Sequence, residues 1–89
     1  MSTENKPVTL YGNDSCAYCG AARMLLAKKG ARFEDILINS DSDKLAEMQT
    51  RSGRTSVPQI FIGGVYVGGF DELYELDMNG ELDKLLAAQ

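Results

Sequence analysis

The chain has 89 residues, 44% of them hydrophobic and 25% charged, with a net charge of −4 and no histidine. That length allows one small domain with an economical core, and the acidic balance without a basic run sets nucleic acid aside as an expected partner. No apolar run reaches the roughly 20 residues that cross a bilayer, and the polar opening lacks a signal-type apolar stretch, so residence in the cytoplasm without a membrane partner is the expectation.

Residues 1–7 read as a polar tail ending in Pro7, ahead of a domain over 8–89. Val8 to Tyr11 reads as a first strand. It runs into Tyr11-Gly-Asn-Asp-Ser-Cys-Ala-Tyr-Cys19, a C-x-x-C pair that holds both cysteines of the chain. A helix follows to Lys29, with Asp14 or Ser15 as N-cap candidate and Tyr18, Ala22, Leu25 and Leu26 on one apolar face. Lys28 and Lys29 complement its C-terminal dipole, and Gly30 stands where a left-handed cap is wanted.

Ala31 to Ile38 reads as a second strand with the imperfect alternation of an edge. Capping chemistry in Asn39–Asp43 opens a second helix, with Leu45 and Met48 as its apolar stripe and an end near Ser52-Gly53. Gln59–Ile62 and Val65–Val67 read as strands joined by Gly63-Gly64, a tight hairpin signal. Asp71–Met78 reads as a third helix with Leu73 and Leu76 inward and Gly80 as its stop. Glu81–Ala88 reads as a fourth, with Leu82, Leu85 and Leu86 at helical spacing. The order β-α-β-α-β-β-α-α predicts an α/β fold: a right-handed parallel β-α-β unit extended by an antiparallel hairpin into a four-stranded mixed sheet flanked by helices.

The cysteine pair carries the chemistry. Two cysteines do not make a disulfide framework, and an adjacent pair in a reducing compartment is more often catalytic or metal-binding. Without histidine, the usual companions of a two-cysteine zinc site are missing, which leaves half of a four-cysteine site shared across a dimer, or two buried thiols, as the bland alternatives. Cys16 falls at a strand-to-helix turn, where unpaired N–H groups and the helix dipole favour a thiolate. Cys16 is therefore the expected nucleophile and Cys19, one turn inside, the expected resolving thiol.

Three motifs together, Tyr-x-x-x-x-Cys-Ala-Tyr-Cys, Thr55-Ser-Val-Pro-Gln-Ile-Phe-Ile62 and Gly68-Gly-Phe-Asp71, resemble those of the short bacterial dithiol glutaredoxins. The resemblance covers essentially the whole chain. It implies a thioredoxin fold and a glutathione-dependent oxidoreductase that reduces protein disulfides and glutathione mixed disulfides. Glutathione and disulfide-containing or glutathionylated proteins are then the partners, the protein acts as a monomer, and no metal is required. It also implies a cis Pro58 facing the cysteines, with Val57 exposing backbone groups to an extended thiol substrate. Read alone, Val57-Pro58 is an ordinary entry to a strand. Gly69, Phe70 and Asp71 are implied to receive the γ-glutamyl end of glutathione, while Asp71 read alone is an N-cap. Tyr18 flanks the sulfur pair or belongs to the core, and Phe61 and Tyr66 read as core or sheet surface.

Three positions depart from the family pattern. Ala17 stands where proline is usual between the cysteines, Asn13 where a lysine is common, and Leu45 where Arg or Gln often meets the glycyl carboxylate. The last two predict a weak hold on that carboxylate unless Lys44 or Arg51 reaches it. Members without the intervening proline include carriers of a [2Fe–2S] cluster shared between two subunits through bound glutathione, which is the alternative function.

Overall fold

The computed structural model describes residues 6–87. In chain order the elements are β1 (Val8–Gly12), α1 (Ala17–Lys28), β2 (Phe33–Leu37), α2 (Ser42–Ser52), β3 (Gln59–Ile62), β4 (Val65–Gly68), α3 (Phe70–Met78) and α4 (Glu81–Leu86). They build a single four-stranded sheet in the order β2-β1-β3-β4, in which β1 runs parallel to β2 and antiparallel to β3, and β3 runs antiparallel to β4. This is the mixed sheet of the thioredoxin fold. No helix among the described residues is long and apolar enough to cross a membrane.

Strand alternation divides the core between the two faces of the sheet. Val8 and Leu10 of β1 and Ile60 and Ile62 of β3 point to one face, where they meet Ala22 and Leu26 of α1, Leu73 of α3 and Leu82 and Leu86 of α4. Tyr11 and Phe61, on the other face, pack with Ile36 and with Met48 of α2, flanked by Leu45 and Val57. β3 is buried along its whole length, as the interior position of a short apolar run requires. β2 lies at an edge and exposes Glu34 and Asp35, charges that discourage further strand pairing. It is shorter than the sequence suggests. Ala31 closes α1 and then packs in the core, so pairing with β1 starts at Phe33.

Helix ends follow their local chemistry. Gly30 adopts φ 71°, its N–H donates to Ala27 O at 3.0 Å, and the Ala31 N–H donates to Leu26 O at 3.0 Å, which is a Schellman motif. Lys29 Nζ then reaches Asp77 at 2.7 Å and Asp83 at 3.2 Å, tying the end of α1 to α3 and α4. Asp41 caps α2 through its carboxylate, and Gly53 ends that helix at φ 73°. At the other end of the chain, Lys6 N–H donates to Leu86 O and Gly63 N–H to Pro7 O, both at 2.8 Å. Residues 1–5 of the expected tail and Ala88 of the expected fourth helix lie outside the described residues.

Two expectations for α1 are corrected. The N-cap is Cys16, not Asp14 or Ser15, because its sulfur accepts the Cys19 N–H that a cap must satisfy. Tyr18 is 64% exposed, and Cys19, fully buried, takes the inward place with Ala22 and Leu26. The apolar stripe keeps its helical spacing and is rotated by one residue at its start.

Leu26 lies at the centre of the larger core cluster and is fully buried. Leu26→Ala is expected to cost about 2–5 kcal/mol. Urea unfolding should show this as a lowered midpoint at unchanged slope.

Candidate active site

The register of the sheet assembles the site. Tyr11 of β1 pairs with Gln59 of β3, so the loop leaving β1 lies beside the residues that enter β3. Ile60 pairs with Gly68, which brings the Gly69–Phe70 start of α3 to the same end. The loop carrying Cys16, the Val57–Pro58 segment and the N-terminus of α3 thus converge, although they are far apart in sequence. The Val57–Pro58 peptide bond is cis.

Cys16 is half-buried and its Sγ accepts the Cys19 N–H at 3.2 Å. The same sulfur lies 4.0 Å from the Val57 carbonyl oxygen. Burial alone pushes the Cys16 pKa up. Donation from the Cys19 thiol and from the Cys19 and Tyr18 N–H groups, together with the positive charge of Arg23, outweighs it and holds the pKa below its ordinary value. Cys19 moves the other way, pushed up to about 11 by burial and by the neighbouring Cys16 sulfur. One thiol is therefore prepared to ionise and its partner to stay protonated until called on.

Beside Cys16 runs an open groove of about 270 Å³, lined by Tyr18, Val57, Pro58, Gly69, Phe70 and Asp71, and also by Arg54, Ser56, Gln59 and Glu72. The Tyr18 and Phe70 rings lie 6.1 Å apart across it. At the start of α3 the Glu72 carboxylate accepts the Gly69 N–H at 2.7 Å. The N–H groups of Phe70 and Asp71, in the first turn, have no acceptor within the helix. A Cβ at Gly69 would lie 3.4 Å from the Pro58 carbonyl oxygen, so the start of α3 sits directly against the cis-proline segment.

The other four groove residues were not singled out from sequence. Ser56 and Gln59 belong to the Thr55–Ile62 motif but carry no role there, Arg54 stands just before it, and Glu72 is the acid three residues after a helix cap. The cations suggested from sequence are engaged elsewhere. Arg51 Nη1 donates to the Tyr11 hydroxyl at 2.8 Å and its guanidinium covers the Phe61 ring at 4.1 Å, while Lys44 Nζ meets Glu47 at 3.5 Å. Leu45 packs in the core under α2, and the Asn13 Oδ1 accepts the Ser15 N–H at 3.1 Å. The cation of the groove is Arg54. Phe61 is core, and Tyr66 sits at the sheet surface with its hydroxyl donating to the buried Gln59 at 2.6 Å.

A thiol whose ionisation its surroundings favour, with a second buried one turn behind it on this fold, is the apparatus of a thiol–disulfide oxidoreductase. The comparisons narrow the class. The glutaredoxin family model matches residues 8–67. Glutaredoxin 3 of Escherichia coli K12 is 48% identical over 79 residues, covering 89% of this chain and 95% of that protein. A glutaredoxin of Pseudomonas aeruginosa is 43% identical over 82 residues, covering 92% of this chain and 98% of that one. Among solved structures, the Brucella melitensis glutaredoxin superposes with a TM-score of 0.83 at 48% identity, covering 97% of this chain and 94% of that one. A buckwheat glutaredoxin–glutathione complex superposes with a TM-score of 0.83 at 31% identity, covering 91% and 76%. The chain belongs to the glutaredoxin family. Among the described residues no group of three or more His, Cys, Asp or Glu side chains is placed to hold a metal ion.

The opposed displacement of the two thiols has a direct readout. Thiolate is the reactive form, so iodoacetamide should add once at pH 7, at Cys16, with its rate rising through an inflection below about 8.5. Cys19 should stay unmodified until the pH approaches its own value of about 11. Mass spectrometry after timed alkylation would show two additions at pH 7 if the two environments were alike.

Proposed function

We propose that this glutaredoxin reduces glutathione mixed disulfides and protein disulfides with glutathione as electron donor. The observation that carries the reading is that Val57 serves two places at once: its carbonyl lies 4.0 Å from Cys16 Sγ and it lines the groove. A thiol compound lying in that groove has its sulfur at the nucleophile. To glutathione, a tripeptide with two carboxylates and one ammonium, the groove offers the Arg54 cation, the N–H groups at the start of α3 and the Asp71 carboxylate.

In this reading the Cys16 thiolate attacks the glutathionyl sulfur of a mixed disulfide. A Cys16–glutathione disulfide forms and the protein thiolate leaves, taking up a proton. A second glutathione thiolate then attacks the bound glutathionyl sulfur, releasing oxidised glutathione and restoring the Cys16 thiolate. With a protein disulfide, the Cys16 thiolate attacks one sulfur and releases the other as a thiol; Cys19 then gives its proton to the second protein thiolate as it departs and attacks Cys16. The Cys16–Cys19 disulfide closes, and two glutathione molecules reopen it to give oxidised glutathione. A low-pKa first thiol is both the attacking group and, when the second glutathione takes the bound glutathionyl sulfur, a good leaving group.

The groove residues divide the ligand between them. The Phe70 and Asp71 N–H groups receive the γ-glutamyl carboxylate and the Asp71 carboxylate receives the ammonium. The Val57 backbone pairs with the cysteinyl residue, Pro58 shapes the floor, and Tyr18 covers the sulfur. Arg54 takes the glycyl carboxylate. The setting proposed is a monomer in the reducing cytoplasm, where a neighbouring thiol pair is kept reduced.

Cys16→Ser is expected to abolish all thiol exchange. Cys19→Ser should keep mixed-disulfide reduction, which needs one thiol, and lose most protein-disulfide reduction. Both activities are followed through glutathione reductase and NADPH consumption, and exchange surviving in Cys16→Ser would sink the reading.

Arg54→Gln is expected to raise the apparent KM for glutathione about 1.4- to fivefold, the range of an exposed ion pair worth roughly 0.2–1 kcal/mol. The difference should shrink as salt screens it. An unchanged KM at low salt would move the glycyl carboxylate to another group.

A further inference from the structure

Arg23 lies one helical turn beyond Cys19 on α1, on the side away from the groove, and belongs to none of the motifs read from the sequence. Its guanidinium makes two contacts. Nη2 donates to the Asn13 carbonyl oxygen at 3.1 Å and Nε to Asp35 Oδ2 at 2.8 Å. The first grips the loop that delivers Cys16, and the second anchors the group to β2. Gly12 marks how near the cation comes to the sulfurs: a Cβ there would lie 2.9 Å from Cys19 Sγ and 3.2 Å from Arg23 Nη2. The thiol and the guanidinium share the space over the Gly12 Cα.

We propose that Arg23 and Asp35 form a positioning pair that sets the redox balance of the two cysteines, with Arg23 favouring the reduced form and Asp35 moderating it. The inference rests on the reading of Cys16 as the attacking thiolate. Opening the Cys16–Cys19 disulfide with two glutathione molecules produces one thiolate at Cys16, one thiol at Cys19, oxidised glutathione and one proton released to solvent. The reduced pair carries a negative charge that the disulfide lacks, so a nearby cation stabilises it selectively and makes the pair more oxidising. The carboxylate of Asp35 cancels part of that field. The positive charge of Arg23 lowers the pKa of both thiols.

Stability does not account for the arrangement. The side chains are 23% and 37% exposed, and pairs this open add little to folding. Arginine suits the place because its planar fork addresses a carbonyl and a carboxylate together, which the single ammonium of lysine does less well. The other charged groups near the thiols are Asp14 in the loop, Arg54 before β3, and Asp71 and Glu72 at the start of α3. Asp14 accepts from Asn39 Nδ2 at 3.3 Å, and the rest line the groove.

The test compares Arg23→Gln, Arg23→Lys and Asp35→Asn in the full chain. The readouts are the pH dependence of Cys16 alkylation and the dithiol–disulfide equilibrium in glutathione buffers. Arg23→Gln should move the alkylation inflection up, slow alkylation about threefold on the rising limb, and favour the disulfide, as expected for loss of one charge several ångström away. Asp35→Asn should move both readouts the opposite way, and Arg23→Lys should keep the inflection of the parent. Loosening of the loop alone would move Arg23→Gln and Asp35→Asn in the same direction, and that result overturns the proposal. So does an inflection unmoved by Arg23→Gln, or one displaced as far by Arg23→Lys. These alkylation results stand whether or not the protein turns over glutathione mixed disulfides. Absence of that turnover in the parent would strike at the proposed function and leave the charge effect to be read separately.

Discussion

The rest of the site depends on one contact, the Cys19 N–H donating to Cys16 Sγ at 3.2 Å. It serves two ends. A helix must satisfy the N–H groups of its first turn, and a sulfur at the N-cap position does so for α1. A thiolate needs donors, and those same N–H groups are the ones available. Ionisation of Cys16 therefore strengthens the cap, because a charged acceptor binds a donor more tightly than a neutral one. Closing the disulfide removes the charge and weakens the cap. The redox state of the pair and the start of α1 are physically linked, and α1 carries Ala22 and Leu26 into the main core.

Topology supplies what this contact cannot. The cap prepares a nucleophile but does not present it to a substrate. Presentation comes from β3, buried throughout and flanked by β1 and β4, whose first residue stands opposite Tyr11. The segment before it, Val57–Pro58, is therefore held against the end of β1, and the hairpin to β4 returns the chain so that α3 begins beside both. A Cβ at Gly69 would stand in van der Waals contact with the Pro58 carbonyl oxygen. The reactive sulfur and the groove are joined by sheet register, not by proximity in sequence.

Much of this was legible in the residues. The order of elements, the edge position of β2, the glycine stops at Gly30 and Gly53 and the Gly63-Gly64 hairpin follow from periodicity and turn chemistry, and each is realised. The cysteines and the residues around Pro58 and Gly69 stand out by motif, and the latter line one groove, joined to Cys16 through Val57. The rotation of α1 was not legible. Tyr18 and Cys19 are adjacent, and either could have begun the inward stripe. The core settles the choice, because a thiol fits below Gly12 where a tyrosine ring does not. The choice of groove cation was equally hidden. Arg51 and Arg54 are three residues apart, and nothing in their spacing says that Tyr11 and Phe61 lie under α2 to receive the first.

That placement of Arg51 explains how the end of β1 is held. The Tyr11 hydroxyl, buried beneath α2, donates to the Glu47 carboxylate and accepts from Arg51, and no buried side-chain polar atom among the described residues lacks a partner. Burial and then the Glu47 carboxylate push the Tyr11 pKa up, so the phenol stays neutral and keeps the proton that it donates. One residue further on, at the opposite face, Gly12 is enclosed by Leu10, the Cys19 sulfur and the Arg23 guanidinium. Successive residues are thus fixed from opposite sides of the sheet, one by a polar cluster and the other by close packing. The loop to Cys16 leaves from a strand end that has little freedom to shift. A nucleophile whose acidity depends on N–H groups about 3 Å away needs that restraint, since electrostatic stabilisation at such range is lost with small displacements.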